Sequence, residues 1–158
     1  MRYDTITADP ILSVDTQPLE VAVVVPTLNE AANVERLIEK LSIVLAGRGW
    51  EILFVDDNSS DGTSDLVRRI GRTSRHVRIV QRVGRRGLSS AVIEGMLATA
   101  APVIAVMDGD LQHDESTLPR LIDAVMTGDT DIAVGTRYVA GGGTGDWPST
   151  HPGSVGST

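Results

Sequence analysis

The amino-acid sequence predicts an α/β protein with a doubly wound, mostly parallel sheet and helices on both of its faces. Two observations lead to this prediction. Short apolar runs rich in β-branched residues recur along the chain, and each of the first four is followed by a segment with apolar residues at helical spacing. Strands that alternate with helices of this length form parallel sheets through crossover connections, which place helices on both faces. A chain of 158 residues is long enough for one such domain.

The predicted strands are short and lie at regular intervals. The first is expected to end at Pro26, because proline is rare inside a sheet. The five runs are Val21–Val25, Glu51–Val55, Val77–Val80, Val103–Met107 and Asp131–Val134.

The predicted helices have start and stop signals. Thr27 and Glu30 have the spacing of a capping box for the first helix, which ends at Gly47. Either Asp61 or Thr63 is expected to cap the second helix. Each helix has an apolar stripe that we expect to face the sheet. The stripes are Val34, Leu37, Ile38, Leu41, Val44 and Leu45; Leu66, Val67 and Ile70, before Gly71; Val92, Ile93, Met96 and Leu97, within Ser89–Ala100; and Leu118, Leu121, Ile122, Val125 and Met126, before Gly128.

One folded domain is predicted over residues 21–140. Residues 1–20 have no strong period and are expected to form a flexible leader. Residues 141–158 contain six glycines and few apolar residues, so we expect a flexible Gly/Ser-rich tail.

Several classes of protein are excluded or disfavoured by composition and missing motifs. The chain has no cysteine, which excludes disulfides, thiolate zinc sites and a cysteine nucleophile. It has no dinucleotide, P-loop or α/β-hydrolase fingerprint. It contains no secretory signal and no apolar run near the roughly 18 residues of a membrane span. We therefore expect a cytoplasmic protein, with peripheral contact at the inner face of a membrane left open.

The charge is unevenly distributed along the chain. The formal net charge is −7, yet the stretch between Asp65 and Glu94 contains eight arginines and no acidic residue. This basic band can meet a phosphate, an anionic membrane or nucleic acid, or can simply be a solvated face. Gly84–Gly87 has the spacing of an RNA-clamping loop, but the acidic total and the 3% aromatic content argue against a nucleic-acid partner. The arginines of the band are Arg68, Arg69, Arg72, Arg75, Arg78, Arg82, Arg85 and Arg86.

Polar segments follow four of the predicted strands, at the carboxyl ends where open α/β sheets bind ligands. The sharpest of them contains Asp108, Gly109 and Asp110, a DxD motif. Two carboxylates two residues apart on a turn can point at one divalent cation, and Gln112 can supply a third oxygen. Such oxygen ligands suit Mg²⁺ or Mn²⁺. The alternative is an Asp-rich turn whose side chains bond to their own backbone.

Two other segments carry charged side chains at this edge. Asp56 and Asp57 end the second strand, where one can bind a base or ribose while the other caps the loop. Arg137 follows the fifth strand and can neutralise a diphosphate or form a surface salt bridge.

Five motifs, taken together and in order, resemble the family 2 glycosyltransferases with the GT-A fold, a nucleotide-diphospho-sugar transferase type. Within that family the chain looks most like the dolichol-phosphate or polyprenol-phosphate mannosyltransferases. The resemblance covers about residues 21–148. The motifs are VVVPTLNE (Val23–Glu30), VDDNSSDGT (Val55–Thr63), GRRGLSSAVIEG (Gly84–Gly95), MDGDLQHDE (Met107–Glu115) and DIAVGTRYVAGGGTGDWP (Asp131–Pro148).

The resemblance implies a nucleotide-sugar-binding domain over residues 21–140 and a role for each matching residue. Leu28 stands where the group often has tyrosine, so weaker base stacking is expected there. The implied catalytic residues are Asp110 and Arg137. The implied nucleotide-sugar contacts are Pro26, Leu28, Glu30, Val55, Asp57, Asp108, Gly109, Asp110, Gln112 and Arg137, and the implied ligands of Mg²⁺ or Mn²⁺ are Asp108, Asp110 and Gln112.

The resemblance also implies a reaction, namely inverting, metal-dependent transfer of a sugar from a nucleotide-diphospho-sugar donor. The expected transfer moves mannose from GDP-mannose to a polyprenyl or dolichyl phosphate at a membrane surface. Family members continue past the Gly-rich stretch into segments that cover the acceptor side, whereas this sequence stops at Thr158. We therefore expect donor and metal binding more than turnover. The alternatives are a UDP-sugar donor, a truncated non-catalytic nucleotide-sugar-binding module, and a nucleotidyltransferase with a similar sheet.

Overall fold

The computed structural model describes residues 17–128 and 130–135, and these form one four-stranded sheet with helices packed on both faces. The strands lie in the order β3-β2-β1-β4, and every neighbouring pair is parallel. The predicted fold class is therefore confirmed. The strands are β1 (Val21–Thr27), β2 (Trp50–Asp56), β3 (Val77–Gln81) and β4 (Val103–Val106).

Within the described residues, each strand is followed by an α-helix. A single 3₁₀ turn, Glu115–Thr117, leads into the last helix. No helix in this part of the chain is long and apolar enough to cross a membrane. The helices are α1 (Ala31–Val44), α2 (Thr63–Gly71), α3 (Leu88–Leu97) and α4 (Leu118–Met126).

The core consists of two layers on either side of β1 and β2. Successive side chains of a strand point to opposite faces, so alternate valines of β1 enter different layers. Val23 and Val25 pack in the larger layer with residues of α1, α2 and α4, including Leu37. Val24 packs in the smaller layer against α3. Both faces of β1 are buried, which explains its continuous apolar sequence.

The order of the strands places a crevice at the carboxyl edge of the sheet. From β1 the chain adds β2 and β3 on one side, and then returns through α3 to add β4 on the other side of β1. The loops after β1 and β4 therefore leave neighbouring strands in different directions. Ligands of open α/β sheets bind at this kind of switch point.

Strand β1 does not end at Pro26, as the sequence had suggested, but continues to Thr27. Pro26 pairs with Val55 of β2. The ladder to β4 ends at Val24, whose carbonyl accepts from Met107 N–H. Because the backbone groups of alternate residues face the same neighbour, the missing N–H of Pro26 falls on the side where that ladder has ended. Proline is tolerated at such an edge.

The predicted inward face of α3 is wrong for three of its four residues. Ile93, Met96 and Leu97 are exposed, with Leu97 at 81%, whereas Ala91 and Gly95 are buried. A Cβ on Gly95 would lie 2.4 Å from Val24 Cγ1, so the helix packs too closely on the sheet for a larger residue. The small residues, rather than the apolar stripe, decide which face of α3 is inward.

The predicted fifth strand is also wrong. Residues 131–135 do not form a strand, and the side chains of Ile132 and Val134 are each 76% exposed. In the described part of the chain, β4 is an edge strand, and no ladder joins residues 131–135 to it. Without a partner ladder, this segment lacks the hydrogen bonds that would make it a strand of the sheet. Most of the predicted leader and all of the predicted tail lie outside the described residues, so those expectations remain predictions.

Candidate functional site

The loops after β1, β2 and β4 meet at the carboxyl edge of the sheet. Thr27 at the end of β1 pairs with Asp56 at the end of β2. A Cβ on Gly109, in the loop after β4, would lie 3.4 Å from Val25 Cγ1 and 3.6 Å from Glu30 Cγ. The structure therefore brings together three of the four polar segments selected from the sequence.

Asp56 is a fully buried carboxylate that holds the loop after β2. It accepts hydrogen bonds from the hydroxyls of Thr27 (3.2 Å) and Ser64 (2.6 Å), and from both the hydroxyl and the N–H (3.0 Å) of Ser59. Four donors thus replace the water that a buried carboxylate loses. Of the two roles left open for this acidic pair, Asp56 has the structural one.

The loops after β1 and β2 are joined to each other by backbone and side-chain hydrogen bonds. Asn29, in a left-handed conformation with φ 60°, donates its N–H to Ser59 Oγ (2.8 Å) and accepts from Ser60 N–H (2.9 Å). Glu30 N–H donates to Thr63 Oγ1 (3.0 Å). These bonds fix residues 27–30 relative to residues 59–63, so one wall of the crevice is preorganised.

The capping box predicted from Thr27 and Glu30 is wrong, because Thr27 lies within β1 and donates to Asp56. Helix α1 begins at Ala31, whose N–H donates to Asp61 Oδ2 (2.9 Å). The other carboxylate oxygen accepts from the N–H (3.0 Å) and hydroxyl of Thr63, at the start of α2. One carboxylate thus serves the N-termini of two helices, where negative charge is favoured. The Thr63 hydroxyl is the main reason why the pKa of Asp61 is lowered.

Acid titration is expected to show how much the ionised Asp61 carboxylate stabilises the fold. The folded-state pKa of Asp61 lies below its ordinary value of 3.8. The ionised carboxylate therefore contributes its full stabilisation of the fold above pH 3.8, and this contribution is lost as the pH falls through the folded-state pKa. We expect Asp61→Asn to reduce the slope of unfolding free energy against pH below about pH 5. Urea denaturation across this range measures the slope. Part of the slope should remain in the variant, because the pKa of Asp114 is also lowered, mainly by the Ser116 hydroxyl.

The matched control for this titration is Asp65→Asn, which removes an exposed carboxylate from the first turn of α2. The control gives the reference for removing one carboxylate from the same helix N-terminus, and the slope in Asp61→Asn should lie below it. An equal slope in the parent and in Asp61→Asn would contradict the role given to this carboxylate.

Asp57, which the family resemblance assigns to base and ribose, faces the loop after β3. Its Oδ2 accepts from Gly87 N–H (2.8 Å), and its Oδ1 lies 2.9 Å from Arg82 Nε. Asp57 also lines a cleft of about 420 Å³ together with Asn58, Gly84, Arg85 and Arg86. The cleft thus has an acidic group at its base and two arginines at its margin.

The DxD loop presents two exposed carboxylates. Asp110 Oδ1 accepts from Gln112 N–H (3.0 Å), and Asp108 Oδ2 lies 3.3 Å from His113 Nε2. Leu111, between Asp110 and Gln112, is left-handed, with φ 62°. The Asp110 bond is the local turn that the sequence left as the alternative, but both side chains remain open to a ligand.

The donor set fits Mg²⁺ or Mn²⁺ completed by a substrate. Among the residues that the structure describes, no group of three or more His, Cys, Asp or Glu side chains could hold a metal by itself. Magnesium is usually bound by one or two carboxylates together with water and substrate phosphates. Asp108 and Asp110 supply such a pair. Lys40 of α1 holds their loop through the buried Glu115, at 2.8 and 3.0 Å.

The remaining predicted site residues differ in accessibility. Leu28 is 44% exposed, and Pro26 and Glu30 are half-buried beside it. The side chain of Val55 is fully buried in the layer under α3, so only its backbone faces the edge of the sheet. Arg137 lies outside the described residues, and its role remains a prediction.

Arg82 was not among the site residues predicted from the sequence. The side chain of Arg82 is fully buried, whereas the basic band as a whole was expected to be solvated or to meet an anionic partner. Arg78 and Arg85 of the same band pair with Glu51 (2.9 Å) and Glu94 (3.0 Å). Arg82 directly follows β3, so the rule applied to the other strand ends would have selected it.

The chain is similar in sequence to known glycosyltransferases. The family described as glycosyl transferase family 2 matches residues 22–155. A dolichol-phosphate mannosyltransferase of Pyrococcus furiosus is 41% identical over 130 residues, which are 82% of this chain and 36% of that protein. A dolichol-phosphate mannosyltransferase of Saccharomyces cerevisiae is 37% identical over 134 residues, covering 82% and 49%. The chain thus spans about a third to a half of the length of these relatives.

Solved structures share the fold. A mannosyltransferase from Pyrobaculum calidifontis, in complex with GDP-Man and Mn²⁺, has a TM-score of 0.58 and 27% identity, over 67% of this chain and 32% of that one. Glucosyl-3-phosphoglycerate synthase from Mycobacterium tuberculosis, with Mn²⁺, UDP and glucosyl-3-phosphoglycerate, has a TM-score of 0.56 and 26% identity, over 69% and 40%. The match over residues 22–155, the identity to the two dolichol-phosphate enzymes and the shared fold establish that the chain belongs to glycosyl transferase family 2.

Proposed function

We propose that this chain forms the donor-binding part of an inverting glycosyltransferase that moves mannose from GDP-mannose to a polyprenyl or dolichyl phosphate. The observation that carries the proposal is the pair of exposed carboxylates, Asp108 and Asp110, beside the preorganised end of β1 at the switch point of the sheet. The names of the dolichol-phosphate relatives support the sugar and the lipid, and the GDP-Man complex supports the donor.

The donor lies across the crevice in this proposal. The base and ribose occupy the cleft lined by Asp57 and Asn58, with Pro26, Leu28 and Glu30 along the β1 side. The diphosphate extends toward the DxD loop, which contains Gly109. Arg137 meets the diphosphate from the other side and neutralises its charge.

The metal is held by Asp108 and Asp110, with Gln112 contributing an amide oxygen. When bound, Mg²⁺ or Mn²⁺ supplies positive charge for the leaving nucleoside diphosphate. The protein then has little proton chemistry to perform. The acceptor phosphate oxygen is already anionic at neutral pH and forms the bond to the anomeric carbon. The bond from that carbon to the diphosphate breaks, and the diphosphate leaves with the electron pair.

The test is calorimetric titration of GDP and of UDP, each with and without Mn²⁺, into the parent chain and Asp110→Ala. We expect GDP to bind in the presence of Mn²⁺ and Asp110→Ala to lose at least about tenfold in affinity, since half of the carboxylate pair is removed. Asp114→Asn is the matched control, because this acid of the same loop caps the 3₁₀ turn through Ser116 and keeps an acceptor in the variant. The control should bind as the parent does.

Each of the other outcomes has a distinct meaning. Metal-dependent binding of UDP in place of GDP would favour a UDP-sugar donor, a second candidate supported by the UDP-bound synthase from Mycobacterium tuberculosis. Binding of neither nucleotide would contradict the proposal and favour a non-catalytic module. Equal binding by Asp110→Ala would contradict the metal site.

A further inference from the structure

Arg82 is the largest fully buried side chain in the described part of the chain, and it lies at the edge of the proposed donor site. Its N–H donates to the carbonyl of Asp56 (2.8 Å), so its backbone extends the pairing of β3 with β2 by one residue. A guanidinium taken out of water is costly unless it is paired and hydrogen-bonded. The partners of Arg82 therefore indicate what this position does.

The guanidinium joins three segments of the chain. Nε lies 2.9 Å from Asp57 Oδ1 in an ion pair without hydrogen-bond alignment. Nη1 donates to Ser90 Oγ (3.0 Å) in the first turn of α3 and to the Gly87 carbonyl (3.5 Å), and lies 3.8 Å from Glu94 Oε1. Nη2 is buried without a hydrogen-bond partner among the described residues. Arg82 thus links the end of β2 to the beginning of α3.

The turn between them depends on the same carboxylate. Gly87 has φ 130° and ψ 134°, a conformation open to glycine and rarely to other residues, and this aims its N–H at Asp57 Oδ2. Arg85 and Arg86 precede Gly87 and line the cleft with Asp57. The turn that carries both arginines is therefore held at Gly87 by a carboxylate whose other oxygen pairs with Arg82.

We propose that Arg82 is a positioning residue that fixes the Asp57 carboxylate and, together with it, the Gly84–Gly87 turn. Arg82 does not touch the nucleotide. It gives the cleft one preformed wall, so binding requires less ordering of the turn. The link to nucleotide binding rests on the proposed function, whereas the link to the turn does not.

The first measurement uses the nucleotide-free protein. We expect amide hydrogen exchange at Gly87, followed by NMR, to become at least about tenfold faster in Arg82→Met, because Asp57 is then free to turn away from the amide. Arg82→Lys should fall between the parent and Arg82→Met, because an ammonium cannot reach Asp57 and Ser90 together. The matched control is Arg78→Met in β3, which breaks an ion pair with the buried Glu51 of β2. It should leave the exchange rate of the Gly87 amide unchanged.

The second measurement compares nucleotide affinities in a double-mutant cycle. Arg82→Met should weaken binding about tenfold in the parent and should have a clearly smaller effect in Asp57→Asn, because the contact with Asp57 is already altered there while those with Gly87 and Ser90 remain to be lost. A general loss of structure would lower affinity by the same factor in both backgrounds. If Arg82→Met does not fold, Arg82→Lys is carried through the same cycle.

The outcomes separate this proposal from the proposed function. Unchanged exchange at Gly87, or additive effects in the cycle, would overturn the role of Arg82. Absence of nucleotide binding by the parent would contradict the proposed function, and the exchange of Gly87 would then decide alone whether Arg82 fixes the turn.

Discussion

Asp56→Ala is expected to lower the free energy of unfolding by about 3–5 kcal/mol, one of the largest effects of any single substitution in the sheet. The change removes the acceptor of four hydrogen bonds from Thr27, Ser59 and Ser64. Asp56 is fully buried, so water does not replace the lost acceptor without opening the end of β2. Urea denaturation at neutral pH measures the loss.

Asp65→Ala is the control for this substitution. Asp65 lies on α2, 86% exposed, and its pairing with Arg68 is the exposed kind that contributes little. Its removal should change stability by less than about 0.5 kcal/mol. A similarly small change in Asp56→Ala would show that the buried network is dispensable.

Gly95→Val is expected to destabilise the fold by about 3 kcal/mol. The first added carbon would lie 2.4 Å from Val24 Cγ1 and 3.0 Å from Val55 Cγ2, so α3 must move away from the sheet or these valines must leave their rotamers. Gly95→Ala adds only that first carbon and gains helix propensity, so a smaller loss is expected. Urea denaturation of both variants gives the two values.

The control for Gly95→Val is Leu97→Val in the same helix. Leu97 is exposed, so this change introduces the same β-branched residue without contact with the sheet. It should cost no more than the helix-propensity difference, a few tenths of a kcal/mol. Equal losses in the two variants would mean that close packing at Gly95 does not hold α3 on the sheet.

The order of strands and helices could be predicted because burial on both faces of a parallel sheet leaves continuous apolar runs, as in β1 and β2. The inward face of α3 could not be predicted in this way. Its amphipathic pattern is weak, and its packing is decided by Gly95, whose contribution depends on a distance to Val24 that periodicity does not contain. The end of β1 was predicted wrongly at Pro26 for a similar reason, because proline is tolerated there only since the ladder to β4 has already ended.

The location of the candidate site followed from the rule that ligands bind beyond the carboxyl ends of strands, which selected the loops of Asp57 and Asp108. The division of roles between Asp56 and Asp57 did not follow from it, because both side chains are buried and only their hydrogen-bond partners in the folded structure distinguish them. The strand-end rule would have selected Arg82 after β3, but its full burial could not be read from the sequence of the basic band. Local sequence reports which residues are polar, whereas tertiary packing decides which of them are enclosed.

The strand order has a consequence for synthesis on the ribosome. β1 is made first but lies between β2 and β4, so its second neighbour is missing until residues 103–106 have been translated. During that interval the edge of β1 has unpaired backbone groups, and its valines, which are buried in the folded structure, are not yet fully covered. Such an edge can pair with other nascent chains. Pairing over so long a sequence separation is also slow. The emerging chain therefore has a defined window of vulnerability to aggregation, which closes when β4 joins the sheet.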